Sequence, residues 1–108
     1  MPQYLMQLSY TSESLAAQMK NPQDRIDVVG KQLAETESAK IVGGGYSFGE
    51  YDIAIILEVA DNTAMAAVAI ALSAGGALKA SKTTPLLNGT QWIDAMKRAS
   101  SSAYRPAS

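Results

Sequence analysis

The carboxylates of Asp52 and Glu58, the phenols of Tyr46 and Tyr51 and the guanidinium of Arg25 are the side chains placed best for chemistry in this chain. Four of the five fall in one stretch. Gly43-Gly44-Gly45-Tyr46-Ser47-Phe48-Gly49-Glu50-Tyr51-Asp52 runs directly into Ile53-Ala54-Ile55-Ile56-Leu57-Glu58-Val59. A carboxylate enclosed by apolar groups has a raised pKa and can act as a general acid or base. A phenol can orient a ligand, and Arg25 can hold an acidic group or an anion. If 51–59 is a regular strand, Asp52 and Glu58 share the face opposite Tyr51. They then stand about 20 Å apart at ~3.3 Å per residue, too far to work as a pair within one subunit. A two-fold dimer could bring one of them to a partner's residue. Each group also has a plainer use. Asp52 suits a carboxylate accepting backbone N–H groups near a turn, and Glu58 a carboxylate at a rim. The tyrosines, Tyr4 and Tyr10 included, suit core or interface positions with a bonded hydroxyl, and Arg25 a surface ion pair.

Several chemistries are excluded by residue type. The chain has no histidine and no cysteine, which removes an imidazole base, a thiol nucleophile, disulfides and the usual zinc and haem ligands. No metal or cofactor site is expected. The glycines of 43–49 miss the G-x-G-x-x-G spacing and lead into a strand, whereas a phosphate cradle needs a helix N-terminus. No G-x-S-x-G elbow occurs. The Asn88-Gly89-Thr90 sequon carries no meaning without a secretory signal.

The elements that must position these residues follow from periodicity. Tyr4, Met6, Leu8 and Tyr10 alternate with Gln3, Leu5, Gln7 and Ser9, which predicts a first strand. Thr11-Ser12 caps a short helix over 13–20. Asn21 as N-cap and Pro22 at the first helical position start a second one, whose stripe is Ile26, Val29 and Leu33. Residues 40–48 form strand two, with in-strand glycines marking a bulge or a close approach. Gly49-Glu50 turns the chain, and 51–59 is strand three. Asp61-Asn62-Thr63 caps a helix over 64–74 that is apolar all round and so expected to be covered on more than one side. Gly75-Gly76 ends it. Residues 77–84 make a fourth strand that Pro85 closes, with Lys79 and Lys82 suited to an edge. A last helix carries Trp92, Ile93 and Met96, and Trp92 and Met96, one turn apart, are suited to pinning it to its own or a partner subunit.

This order is βαββαβ plus a C-terminal helix, the α+β ferredoxin-like pattern. Right-handed crossovers put strands one and three at the centre of a four-stranded antiparallel sheet, with the main helices on one face. The other face stays open within the monomer, and two such faces packed together give a dimeric α+β barrel. The 108 residues are read as one domain over 1–99 and a flexible tail over 100–108. Charged residues are 18% of the chain, against about 25% in soluble domains, so part of the apolar surface is expected against another copy. With nine basic and ten acidic residues and no basic stripe, neither nucleic acid nor an anionic membrane is an expected partner. The first ten residues lack a signal-peptide pattern, and the apolar window 64–77 is short of the roughly 20 residues a bilayer needs. A cytoplasmic protein is expected.

The segment Phe48-Gly49-Glu50-Tyr51-Asp52-Ile53, with Glu58-Val59-Ala60-Asp61-Asn62 at its end, resembles the GYD domain family, named for a glycine-tyrosine-aspartate signature. Tyr10-Thr11, Asn21-Pro22-Gln23-Asp24-Arg25, Gly76-Ala77-Leu78-Lys79 and Thr83-Thr84-Pro85-Leu86-Leu87 extend the likeness over roughly residues 3–95. The resemblance implies a small ferredoxin-like domain of the dimeric-barrel type, with no established general activity and no catalytic residues to carry over. Members of that family tend to place a glycine pair before strand two, where Ser38-Ala39 stand here.

Two functional readings compete. One is a homo-oligomeric domain, a dimer or larger, without a catalytic role, which binds a small apolar or aromatic ligand between sheet and helices. The other is a cofactor-independent small isomerase or oxygenase, which needs Glu58, Asp52 or Tyr46 in a closed pocket.

Overall fold

The computed structural model describes residues 1–36 and 38–107 of the chain. In order, the elements are β1 (Gln3–Tyr10), α1 (Ser12–Lys20), α2 (Arg25–Thr36), β2 (Lys40–Tyr46), β3 (Ile53–Glu58), α3 (Asn62–Ala74), β4 (Leu78–Leu86) and α4 (Gly89–Ser100). The strands form one antiparallel sheet in the order β2-β3-β1-β4. This is the ferredoxin-like arrangement, with β1 and β3 central and the C-terminal helix added.

Period-two alternation determines which side of the central strands is core. Tyr4, Met6 and Leu8 of β1 and Ile53, Ile55 and Leu57 of β3 are buried and stand opposite one another in register, Met6 facing Ile55. Leu33 from α2 and Met65 and Val68 from α3 close over them, so both helices lie on this one face. Each large side chain buried here is worth about 1.5–3 kcal/mol. On the reverse face the same register places Leu5 between Ile56 and Thr84, flanked by Gln3, Gln7, Ala54 and Glu58. No helix among the described residues buries that surface.

Strand β2 departs from regularity where its glycines begin. The register shifts between Ile41 and Gly43, leaving Val42 as the extra residue of a bulge. Gly44 then takes φ 103°, and a Cβ there would stand 2.1 Å from the carbonyl oxygen of Ala54. Glycine is what lets β2 lie this close to β3. The α2 helix approaches β2 closely through Gly30, whose missing side chain leaves room for Ile41. Before β2, Ser38 adopts φ 52°. A left-handed residue thus occurs where the family resemblance suggested glycine.

Several sequence expectations need correction. Helix α2 begins at Arg25, three residues after Pro22, because Asp24 takes the cap: its Oδ1 accepts the Asp27 N–H at 3.2 Å. Asn21 ends α1 instead, its N–H bonded to the Gln18 carbonyl. Strand β4 runs through Pro85 to Leu86, and Pro85 pairs with Tyr4. An edge strand tolerates proline because one side of its ladder is unused. Strand β3 begins at Ile53, leaving Tyr51 and Asp52 in the connection and not on opposite faces of one strand. Helix α3 buries Met65 and Val68 but leaves Ile70 69% exposed, so in the single chain it is covered on one side only. The Asn88–Gln91 capping box starts α4, yet every residue of α4 is exposed, Trp92, Ile93 and Met96 among them. Its apolar stripe is not pinned to its own subunit.

Candidate functional site

The β1–β3 ladder ends at the Leu8–Ile53 pair, and the chain beyond it would leave backbone groups unpaired. The connection 47–52 folds onto the end of β1 to satisfy them. The Asp52 N–H donates to the Leu8 carbonyl at 2.8 Å, and Asp52 Oδ2 accepts the Tyr10 N–H at 2.8 Å. The buried Ser9 hydroxyl donates to the Glu50 carbonyl at 2.7 Å. Ser47 closes the loop upon itself, its N–H on the Asp52 carbonyl and its hydroxyl on that of Tyr51, both at 2.8 Å. Gly49 at φ 122° supplies the reversal. This clamp fixes the backbone of Tyr10.

Tyr10 lines a cavity of about 230 Å³ between the sheet and the helices α2 and α3. Leu8, Val29, Ile53, Leu72 and Leu78 form its apolar wall, and the small residues Ala71, Gly75 and Ala77 complete it. Three polar residues are part of its lining: Tyr10, Arg25 and Gln32. Burial raises the pKa of the Tyr10 phenol, the positive charge of Arg25 works against that, and the nearby Asp52 carboxylate adds to the rise. The phenol is therefore neutral at physiological pH and serves as donor and acceptor. A wider groove of about 450 Å³ lies between α2 and β2. It is open to solvent, and its Lys31 is paired with Asp27 at 3.2 Å.

The model of the GYD domain matches residues 4–96. The chain belongs to the GYD domain family. No curated protein and no solved structure matches it. In this GYD domain the signature residues have visible structural duties, since Gly49 makes the reversal and Asp52 holds two backbone groups of β1.

Of the five residues singled out for chemistry from the sequence, Arg25 alone lines this cavity of the GYD domain. The bland expectation for it was a surface ion pair, and among the described residues no carboxylate lies within ion-pairing distance of it. Tyr46 stands at the end of β2, where its hydroxyl donates to Asp24 Oδ1 at 2.5 Å and accepts the Ile26 N–H at 2.9 Å. It ties β2 to the start of α2. Asp24 is held below the ordinary carboxylate value first by that phenol and then by the Asp27 N–H. Tyr51 belongs to the clamp through its carbonyl. Asp52 accepts a backbone N–H, as its plainer reading had it. Glu58 lies at the end of the open face, opposite Gln3 and Lys40, with the Gln3 amide 3.4 Å away.

Tyr10 is the site residue that the sequence suggested only for a core or interface position. In the sequence it stands as the last member of the Tyr4-Met6-Leu8-Tyr10 alternation. The signal was a polar-tipped aromatic at the point where an apolar strand face runs out.

Proposed function

We propose that this GYD domain is a self-associating binding module that takes one small apolar or aromatic ligand between its sheet and helices. The cavity beside Tyr10 and Arg25 carries this reading. It is walled on the sheet side by Leu8 and Ile53 and on the helix side by Val29 and Leu72, and the polar residues Tyr10, Arg25 and Gln32 are part of its lining. Ligand sites commonly combine apolar walls with a few convergent polar groups. Its volume, about 230 Å³, is below the usual lower range of roughly 300 Å³, so the ligand is small.

Self-association is supported by three apolar surfaces that the chain leaves uncovered: the sheet face around Leu5 and Ile56, the outer side of α3 at Ile70, and the stripe of α4. The enzymatic reading required Tyr46, Asp52 or Glu58 in the pocket. None of the three lines this cavity, and nothing else in the chain favours that reading.

A small-aromatic fragment set, followed by amide chemical shifts, tests the ligand claim. Shifts should cluster at residues 8, 10, 29, 72 and 78, and their absence at millimolar fragment would refute it. Sedimentation tests the assembly: the protein should exceed monomer mass at micromolar concentration, and a monomer there would sink that half of the proposal.

A further inference from the structure

The cavity has an apolar body and one cationic group, and the partners of that group decide which ligand chemistry fits. A guanidinium presents five donors in a planar fork. Arg25 lines the cavity together with Tyr10, and its positive charge acts on the Tyr10 phenol. The two ion pairs among the described residues, Lys31–Asp27 and Arg98–Asp94, involve neither Arg25 nor a residue of the cavity wall. The carboxylates closest in the chain are engaged elsewhere. Asp24 is bonded to Tyr46 and to the Asp27 N–H, and Asp52 to the Tyr10 N–H. Neither lines the cavity.

We infer that the cavity is a site for a small monocarboxylate with an apolar body, such as an aromatic or short branched acid, its carboxylate on Arg25 and the Tyr10 hydroxyl. This rests on the ligand-binding reading above and specifies the ligand's charge. A carboxylate matches the planar guanidinium fork, and such charge-assisted hydrogen bonds are roughly twice as strong as neutral ones. The phenol, kept neutral by burial, can accept from Arg25 while donating its own proton to the second carboxylate oxygen. The walls of Leu8, Val29, Ile53 and Leu72 receive the hydrocarbon part. Size agrees: an apolar cavity of roughly 150 Å³ holds benzene, so about 230 Å³ admits one ring and its carboxylate. Diacids and fused-ring acids exceed either the single cation or the space.

The experiment compares benzoate with benzyl alcohol, an uncharged molecule of nearly the same shape, by amide-shift titration of the full chain. Benzoate should bind at the cavity amides at least about tenfold more tightly than the alcohol. Arg25→Gln should remove that preference, and Tyr10→Phe should weaken benzoate severalfold while leaving the alcohol unchanged. Equal binding of both probes, unaltered in Arg25→Gln, would overturn the carboxylate assignment and leave the cavity reading intact. No cavity shifts with either probe would overturn both. The wild-type comparison needs no substitution, so it decides the question even if a variant folds poorly.

Discussion

Gly44 and Gly45 are neighbours in β2 with opposite tolerance for a side chain. At Gly44 the positive φ and the Ala54 carbonyl both exclude a Cβ, whereas at Gly45 nothing lies within 4 Å. Gly44→Ala should therefore cost at least about 3 kcal/mol in chemical denaturation, combining left-handed strain with overpacking. Gly45→Ala should cost under about 1 kcal/mol, and equal losses would mean that β2 does not approach β3 as described. Asp24 makes a pH-dependent contribution whose sign follows from linkage. Its folded-state pKa lies below the ordinary 3.8, so the unfolded chain takes up the proton first. The stabilisation is present above the unfolded value and is lost as pH falls through the folded one. Thermal melts between about pH 4 and pH 2 should thus fall less steeply for Asp24→Asn than for the wild type. Parallel curves would show that the Tyr46–Asp24 bond contributes nothing.

Among the elements, α4 and the shorter α1 bury no side chain in their own chain, and α4 carries the larger exposed apolar stripe. It has 12 residues and no buried side chain, and isolated helices shorter than about 12–15 residues are marginal in water. The capping box at Asn88–Gln91 and the Asp94–Arg98 pair at 2.9 Å add only tenths to about one kcal/mol each. In the proposed assembly a partner surface covers the Trp92-Ile93-Met96 stripe and supplies the remainder. Trp92→Ser should accordingly change the stability of a dilute monomer by no more than about 0.5 kcal/mol, while shifting sedimentation toward smaller species. A large loss of monomer stability would place α4 inside its own subunit. By contrast α2 and α3 are held by burial, and their caps at Asp24 and Asp61 only set where they start.

At the scale of the whole molecule, the radius of gyration is 17.1 Å, against about 13 Å for a compact chain of 100 residues. The excess agrees with a ferredoxin-like body from which α4 projects, the longest dimension reaching 57 Å. No helix among the described residues is long and apolar enough to cross a membrane. If the open sheet face and α4 are covered by a second copy, folding is linked to protein concentration. The melting temperature should rise across a hundredfold concentration series, and Ile56→Glu should abolish the rise while the circular dichroism spectrum is retained. A concentration-independent wild-type melt would argue that the face stays open.

The βαββαβ order was legible in the sequence because each central strand carries its own core face: Tyr4-Met6-Leu8 and Ile53-Ile55-Leu57 alternate without exception. The helix stripe Ile26-Val29-Leu33 and the in-strand glycines beside the bulge were equally local signals. Boundaries were less legible, because Pro22 and Pro85 were read by their usual habits, and Asp24 as a cap and the free edge of β4 overrode them. The candidate site was the least legible part. The stretch 43–59 holds four of the five residues chosen for chemistry, and in the fold it supplies mainly a clamp and a tie between elements. The cavity is built instead from Tyr10, Arg25 and apolar side chains of β1, α2, β3, α3 and β4, residues far apart in the chain. Sequence by itself determined the order of strands and helices and the core face, because those depend on periodicity and local turn chemistry, and family membership through its ordered residue matches. Only tertiary structure brought Arg25 onto Tyr10 and directed Asp52 to a backbone N–H, because those outcomes depend on which strand ends meet and which backbone groups are left to be satisfied there.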